Sequence, residues 1–149
     1  MMSSDERYQF WTELIEKASS SDSYYHGFNP RRSGAIQQRT GIPGISLCFR
    51  LRSRYTQVTL TIENIGFERS VHFFEQLYQN RKEIEEGISV PIEWLPANEN
   101  TNTSRILATL QFDNSPSIEE HYELMIATMD EFRETLLPYI NPLQDLNRN

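Results

Sequence analysis

The stretch ISLCFRLRSRYTQVTLTIEN, residues 45–64, decides the fold. Ile45, Leu47, Phe49 and Leu51 alternate with Ser46, Cys48, Arg50 and Arg52, the period of two that buries one face of a strand and exposes the other. Val58, Leu60 and Ile62 alternate in the same way with Gln57, Thr59, Thr61 and Glu63. Keeping both apolar sets on one face requires a turn of even length, which puts Arg54 and Tyr55 at the tip of a hairpin. Arg50 and Arg52 then stand on the face opposite Leu47, Phe49 and Leu51, beside Gln57 and Thr59, and Arg54 caps the turn.

Upstream, Ser3 and Glu6 have capping-box spacing, and Phe10, Trp11, Leu14, Ile15 and Ala18 recur at helical intervals. A helix is predicted there. The polar run SSSDSYYHGFNPRRSG contains Gly27 and Pro30 and reads as an irregular loop. Residues 35–39 form a further, weaker strand. Downstream, one helix is predicted from Phe67 to Glu86, stopped by Gly87, with Phe67, Phe74, Leu77, Ile84 and Ile88 along one face. Strands follow over 91–95 and 105–112, joined by the polar segment PANENTNTS. Ser117 and Glu120 then open a long amphipathic helix whose stripe is Ile118, Tyr122, Met125, Met129, Phe132 and Leu136, with Pro138 expected to end or bend it.

The order α-β-β-β-α-β-β-α implies an α+β fold. It has a mainly antiparallel sheet of four or five strands, three helices packed on one face and the other face open. Its 149 residues, 38% of them apolar, suit a single domain, assigned to 1–140, with 141–149 as a flexible tail. One cysteine excludes an internal disulfide, and no apolar run approaches the ~18 residues of a membrane span. MMSSDERYQFW lacks the basic and apolar regions of a signal peptide, so a cytoplasmic location is expected.

The net charge of -7 conceals segregation. Residues 23–62 contain no Asp or Glu but hold Arg31, Arg32, Arg39, Arg50, Arg52 and Arg54, so that segment is +6 and the remainder -13. Twelve of the fourteen basic residues are arginine, whose planar fork suits carboxylate and phosphate.

FWTELIEKA in the first helix, FFEQLYQNRKEIEEGISVPIEWLP at residues 73–96 and SRI at 104–106 together resemble a family of prokaryotic domains of unknown function of about this length. Members of that family stand alone or lie at the C-terminus of larger proteins, some with a restriction-endonuclease-like nuclease domain. Trp94 and Arg105 match its pattern, which implies shared architecture. The resemblance carries no catalytic residues over to this chain.

A reaction is not written in the residues either. A restriction-type nuclease site needs metal-binding carboxylates followed by a strand lysine, and the only lysines, Lys17 and Lys82, fall on predicted helices. His26, His72 and His121 lie far apart with no Cys or second His at zinc-ligand spacing. Cys48 is expected on the open face near Arg50, without an identifiable base. GIPG lacks the spacing and the lysine of a phosphate loop.

The expectation is therefore a non-catalytic module with no cofactor, metal or membrane contact. Its binding residues are expected to be Arg31, Arg32, Arg50, Arg52, Arg54, Tyr55 and Arg105. The favoured partner is a protein or a second copy of the chain, in a prokaryotic system that acts on nucleic acid, such as restriction or defence. The alternative is direct binding of nucleic acid by the arginine-lined face, with Tyr24, Tyr25, Phe28 and Tyr55 stacking on bases. Net negative charge favours the protein partner. A small-ligand pocket between the sheet and residues 21–33 is the third possibility.

Overall fold

Leu47 stands opposite Leu60, and Phe49 opposite Val58, in the hairpin formed by β2 (Ile45–Leu51) and β3 (Tyr55–Ile62). The predicted alternation holds, but the turn falls one residue earlier than its apolar pattern suggests. Leu51 pairs with Thr56, and Arg52 N–H donates to Tyr55 O at 2.9 Å, which leaves Ser53 and Arg54 as the two turn residues and makes Tyr55 the first residue of β3. Thr56 obscures the register because it is a polar residue on the core face. Its hydroxyl lies 2.8 Å from Nε2 of the buried His121, so a hydrogen bond offsets the cost of burial.

The computed structural model describes residues 2–142. α1 (Ser4–Ser19) is followed by a 3-10 turn (Ser23–Gly27) and β1 (Ala35–Arg39), and the β2–β3 hairpin comes next. α2 (Phe67–Tyr78), α3 (Arg81–Glu86), β4 (Glu93–Leu95), β5 (Ser104–Gln111), a second 3-10 turn (Phe112–Asn114) and α4 (Ile118–Ile140) complete the order. The strands form one antiparallel sheet, β1-β2-β3-β5-β4, in an α+β fold. Residues 143–149 of the expected tail lie outside the described residues, and Asn141 and Pro142 form a turn.

The helices pack on the face bearing Leu47, Phe49, Val58, Leu60, Ile106 and Ala108. α4 contributes Tyr122, Met125, Met129, Phe132 and Leu136, the predicted stripe. α2 is pinned through Ser70, whose hydroxyl donates to Ile62 O at 3.0 Å and lies 2.8 Å from the Ser104 hydroxyl on β5. α1 starts with the predicted box, Ser3 and Glu6 exchanging backbone-to-side-chain bonds, and its Trp11 Nε1 donates to Ser33 O at 2.9 Å.

Four predicted details change. The single helix over 67–86 is two helices, because Asn80 leaves helical geometry at φ -108 and ψ 20 and its side-chain amide donates to Gln76 O. Phe67 and Ile118, assigned to buried stripes, are 40% and 45% exposed. Each is the first residue of its helix, where side chains tilt toward the N-terminus and so project beyond the sheet. Pro138 does not end α4, which continues to Ile140. Finally, in the loop over 21–33 Tyr25 and Phe28 are buried and pack on Phe49 of the sheet, with the Phe28 and Phe49 rings 5.2 Å apart, where a small-ligand pocket was expected.

Two expectations test this packing. Leu60 is fully buried at the centre of the sheet, so Leu60→Ala should cost about 2–5 kcal/mol in urea denaturation. His121 is buried with both ring nitrogens bonded, Nε2 to Thr56 and Nδ1 to Ser115, and burial lowers its pKa below 6.5. The unfolded chain therefore takes up a proton that the folded chain refuses. Stability should be complete above pH 6.5 and fall as pH drops below it, by at most ~1.4 kcal/mol per pH unit, a slope that His121→Asn should flatten.

Candidate functional site

Among the described residues the second sheet face carries no helix, and the register lays its side chains out in rows. One row runs Ala35, Arg50, Gln57, Thr109; the next Gln37, Cys48, Thr59, Leu107, Glu93; the third Arg39, Ser46, Thr61, Arg105, Leu95. Short residues in the middle are sunk beneath long ones at the margins. Thr59 is 0% exposed, although no other element covers it, and Cys48, Thr61 and Leu107 are also buried.

A depression of about 150 Å³ opens among Gln37, Cys48, Arg50, Thr61, Glu63 and Arg105. It brings together Arg50 from β2 and Arg105 from β5, two of the arginines expected on this face. Neither has a carboxylate within 4.0 Å among the described residues. Burial, with Arg52 and Arg105 adding like charge, lowers the pKa of Arg50, which remains charged at neutral pH. The Thr59 hydroxyl is buried between these rows and has no hydrogen-bond partner among the described residues. The depression thus gathers two guanidiniums without an ion-pair partner among the described residues, with the Glu63 carboxylate at its edge and the Thr59 hydroxyl buried beneath the face.

The other arginines do not join it. Arg52 Nη1 donates to Leu51 O at 2.9 Å and to Gly34 O at 3.2 Å, so its guanidinium ties β2 to the residue ahead of β1. With Tyr55 it lines a different cavity, shared with Arg7, a residue that sequence reasoning passed over because nothing in its spacing separates it from a solvated helical arginine. Arg54 sits exposed in the hairpin turn. Arg31 is exposed in the loop before β1, and Arg32 pairs with Asp5 and lies over the Tyr8 ring, next to α1.

Three expectations are corrected. Tyr25 and Phe28 are not available to stack on bases, being 1% and 2% exposed in the core. Tyr24 has a buried hydroxyl with its pKa pushed up to about 12 by burial, and the Arg133 guanidinium covers its ring at 3.4 Å. The loop looked polar because its aromatics are surrounded by serines, yet those aromatics are what anchors it: Tyr25 donates to Asp130, and Arg133 donates to Asp22. Cys48 lies on the open face as expected, but it is only 7% exposed, and burial raises the pKa of its thiol.

His26 and His72 are exposed, while His121 is buried on the opposite face, so the three histidines do not converge. A family model described as a domain of unknown function, DUF4268, matches residues 6–140, from the first turn of α1 to the end of α4. The chain belongs to this family. Neither the curated proteins nor the solved structures yield a match. Among the described residues no helix is long and apolar enough to cross a membrane.

The two classes of arginine should separate on substitution. Changing Arg50 and Arg105 together to Glu removes no bond within the fold and should alter stability by less than ~0.5 kcal/mol. Arg52→Ala breaks two charge-assisted bonds to backbone carbonyls and should cost about 1–3 kcal/mol, both read from urea midpoints.

Proposed function

We propose that this chain is a non-catalytic interaction module whose open sheet face binds an acidic surface on a partner protein. The observation that carries the reading is the pair Arg50 and Arg105, facing away from the core on a sheet face that no helix covers and without an ion-pair partner among the described residues. A carboxylate seated between them would neutralise like charges already close enough to lower the pKa of Arg50. The chain itself shows the kind of surface that fits: Glu68 and Glu75 on α2, and Glu83, Glu85 and Glu86 on α3, are all exposed on helices.

The alternative, direct nucleic-acid binding, loses most of its stacking platform with Tyr25 and Phe28 in the core and Tyr24 under Arg133. The overall charge of -7 also opposes approach to a polyanion of any length. A prokaryotic origin and a role beside a nuclease or other restriction or defence enzyme rest on the family resemblance alone, and they belong to the same proposal, as does a cytoplasmic location. The absence of catalysis is supported by the raised pKa of the Cys48 thiol and by histidines placed apart from it.

The test measures binding of a labelled Glu-rich helical peptide and of a labelled single-stranded oligonucleotide by fluorescence anisotropy at low salt, alongside sedimentation equilibrium of the protein alone. Peptide binding that falls at least about tenfold in the Arg50→Glu, Arg105→Glu double variant supports the proposal. Self-association lost in the same variant would identify the acidic partner as a second copy. Oligonucleotide binding that depends on both arginines and weakens steeply with salt would overturn it in favour of the nucleic-acid reading. Failure of the double variant to change any interaction would also sink it.

A further inference from the structure

Where the β2–β3 turn meets the N-terminal end of α1, the surface forms a half-open cavity of about 430 Å³, within the size range of small-molecule sites. Its apolar wall comes from Leu51, Tyr55 and Met2, and its charged wall from Arg7 and Arg52. The two guanidiniums are held from behind. Arg7 Nε donates to Arg32 O at 2.7 Å and its Nη1 to Met2 O at 2.9 Å, while Arg52 Nη1 donates to Gly34 O and Leu51 O. Carbonyls orient both groups without neutralising them, and neither has a carboxylate within 4.0 Å among the described residues. Arg7 Nη2, and Nε and Nη2 of Arg52, have no bonding partner among the described residues, so each fork keeps unused donors.

Gly34 permits the arrangement. A Cβ there would stand 3.0 Å from both Arg52 Nη1 and Leu51 O, so a side chain would crowd the guanidinium and its carbonyl support. The charge around the cavity selects the anion. Asp5 and Glu6 occupy the first turn of α1, and two of its donors are already engaged, Glu6 N–H with the Ser3 hydroxyl and Arg7 N–H with Ser3 O. A dianion would meet the Asp5 and Glu6 carboxylates of that turn more strongly than a monoanion would. A single carboxylate needs only the planar forks.

We propose that this cavity binds a small organic acid, its carboxylate between Arg7 and Arg52 and its apolar or aromatic body against Leu51 and Tyr55. The site is separate from the face bearing Arg50 and Arg105 and does not depend on the partner reading. Arg52 and Tyr55, which the sequence places in one strip with Arg50, here serve a different ligand.

The test uses isothermal calorimetry on the full chain with three probes: phenylbutyrate, its uncharged analogue phenylbutanamide, and inorganic phosphate. Phenylbutyrate should bind with a Kd of about 1 mM or tighter, and both the amide and phosphate at least about tenfold more weakly. Arg52→Gln should weaken phenylbutyrate at least about tenfold, whereas Arg50→Gln should leave it unchanged. Where Arg52→Gln fails to fold by circular dichroism, Arg7→Gln carries the same comparison from the other wall. The proposal is overturned by no binding at about 10 mM phenylbutyrate, by equal binding of the amide or of phosphate, or by binding that survives the cavity variants.

Discussion

The structure depends on one pairing, Leu47 opposite Leu60 across a two-residue turn. Because side chains alternate along a strand, a slip of one residue would carry Leu47, Phe49 and Leu51 to the open face and bring Cys48 and Arg50 under the helices. Every other contact assumes that register. β5 continues it by setting Ile106 beside Leu60 and Ala108 beside Val58, and α4 finds its place when His121 reaches Thr56. Stability and surface chemistry are thus decided by the same parity.

The strands of the hairpin, the capped starts of α1 and α4 and the one-sided layering were all legible, because each is signalled by residues near one another in sequence. What escaped notice depends on long-range partners. Thr56 reads as an exposed threonine until His121, 65 positions away, supplies its bond. Tyr25 and Phe28 read as loop aromatics until Phe49 and Asp130 receive them. The break at Asn80 was hidden because apolar spacing persists through it, and only the competing side-chain bond to Gln76 interrupts the backbone.

The arginine strip was legible as a strip but not as a division of labour. Arg50 and Arg52 are two residues apart on one strand, yet Arg50 looks across β3 toward Arg105 while Arg52 turns back onto backbone carbonyls at the sheet's end. Their difference comes from their neighbours. Arg50 is flanked by Ala35 on β1, a residue with no acceptor in its side chain, whereas Arg52 lies past the end of β1, where the Gly34 carbonyl is within reach. Residues 23–62 hold no acid, and neither arginine has a carboxylate within 4.0 Å among the described residues, although Glu63 lines the same depression as Arg50.

Because all helices pack on one side of the sheet, the molecule separates what must be conserved for folding from what can be varied. Substitutions at the unburied positions of the outward rows leave the layer of Leu47, Val58, Leu60 and Ile106 untouched, so the chemistry of that face can change at little cost to folding. Such a face is a natural palette for diversification: Gln37, Arg50, Gln57, Arg105, Thr109 and Glu93 form a solvent-side grid whose letters can be changed one at a time. Libraries randomised at those positions would retain one scaffold while sampling many specificities.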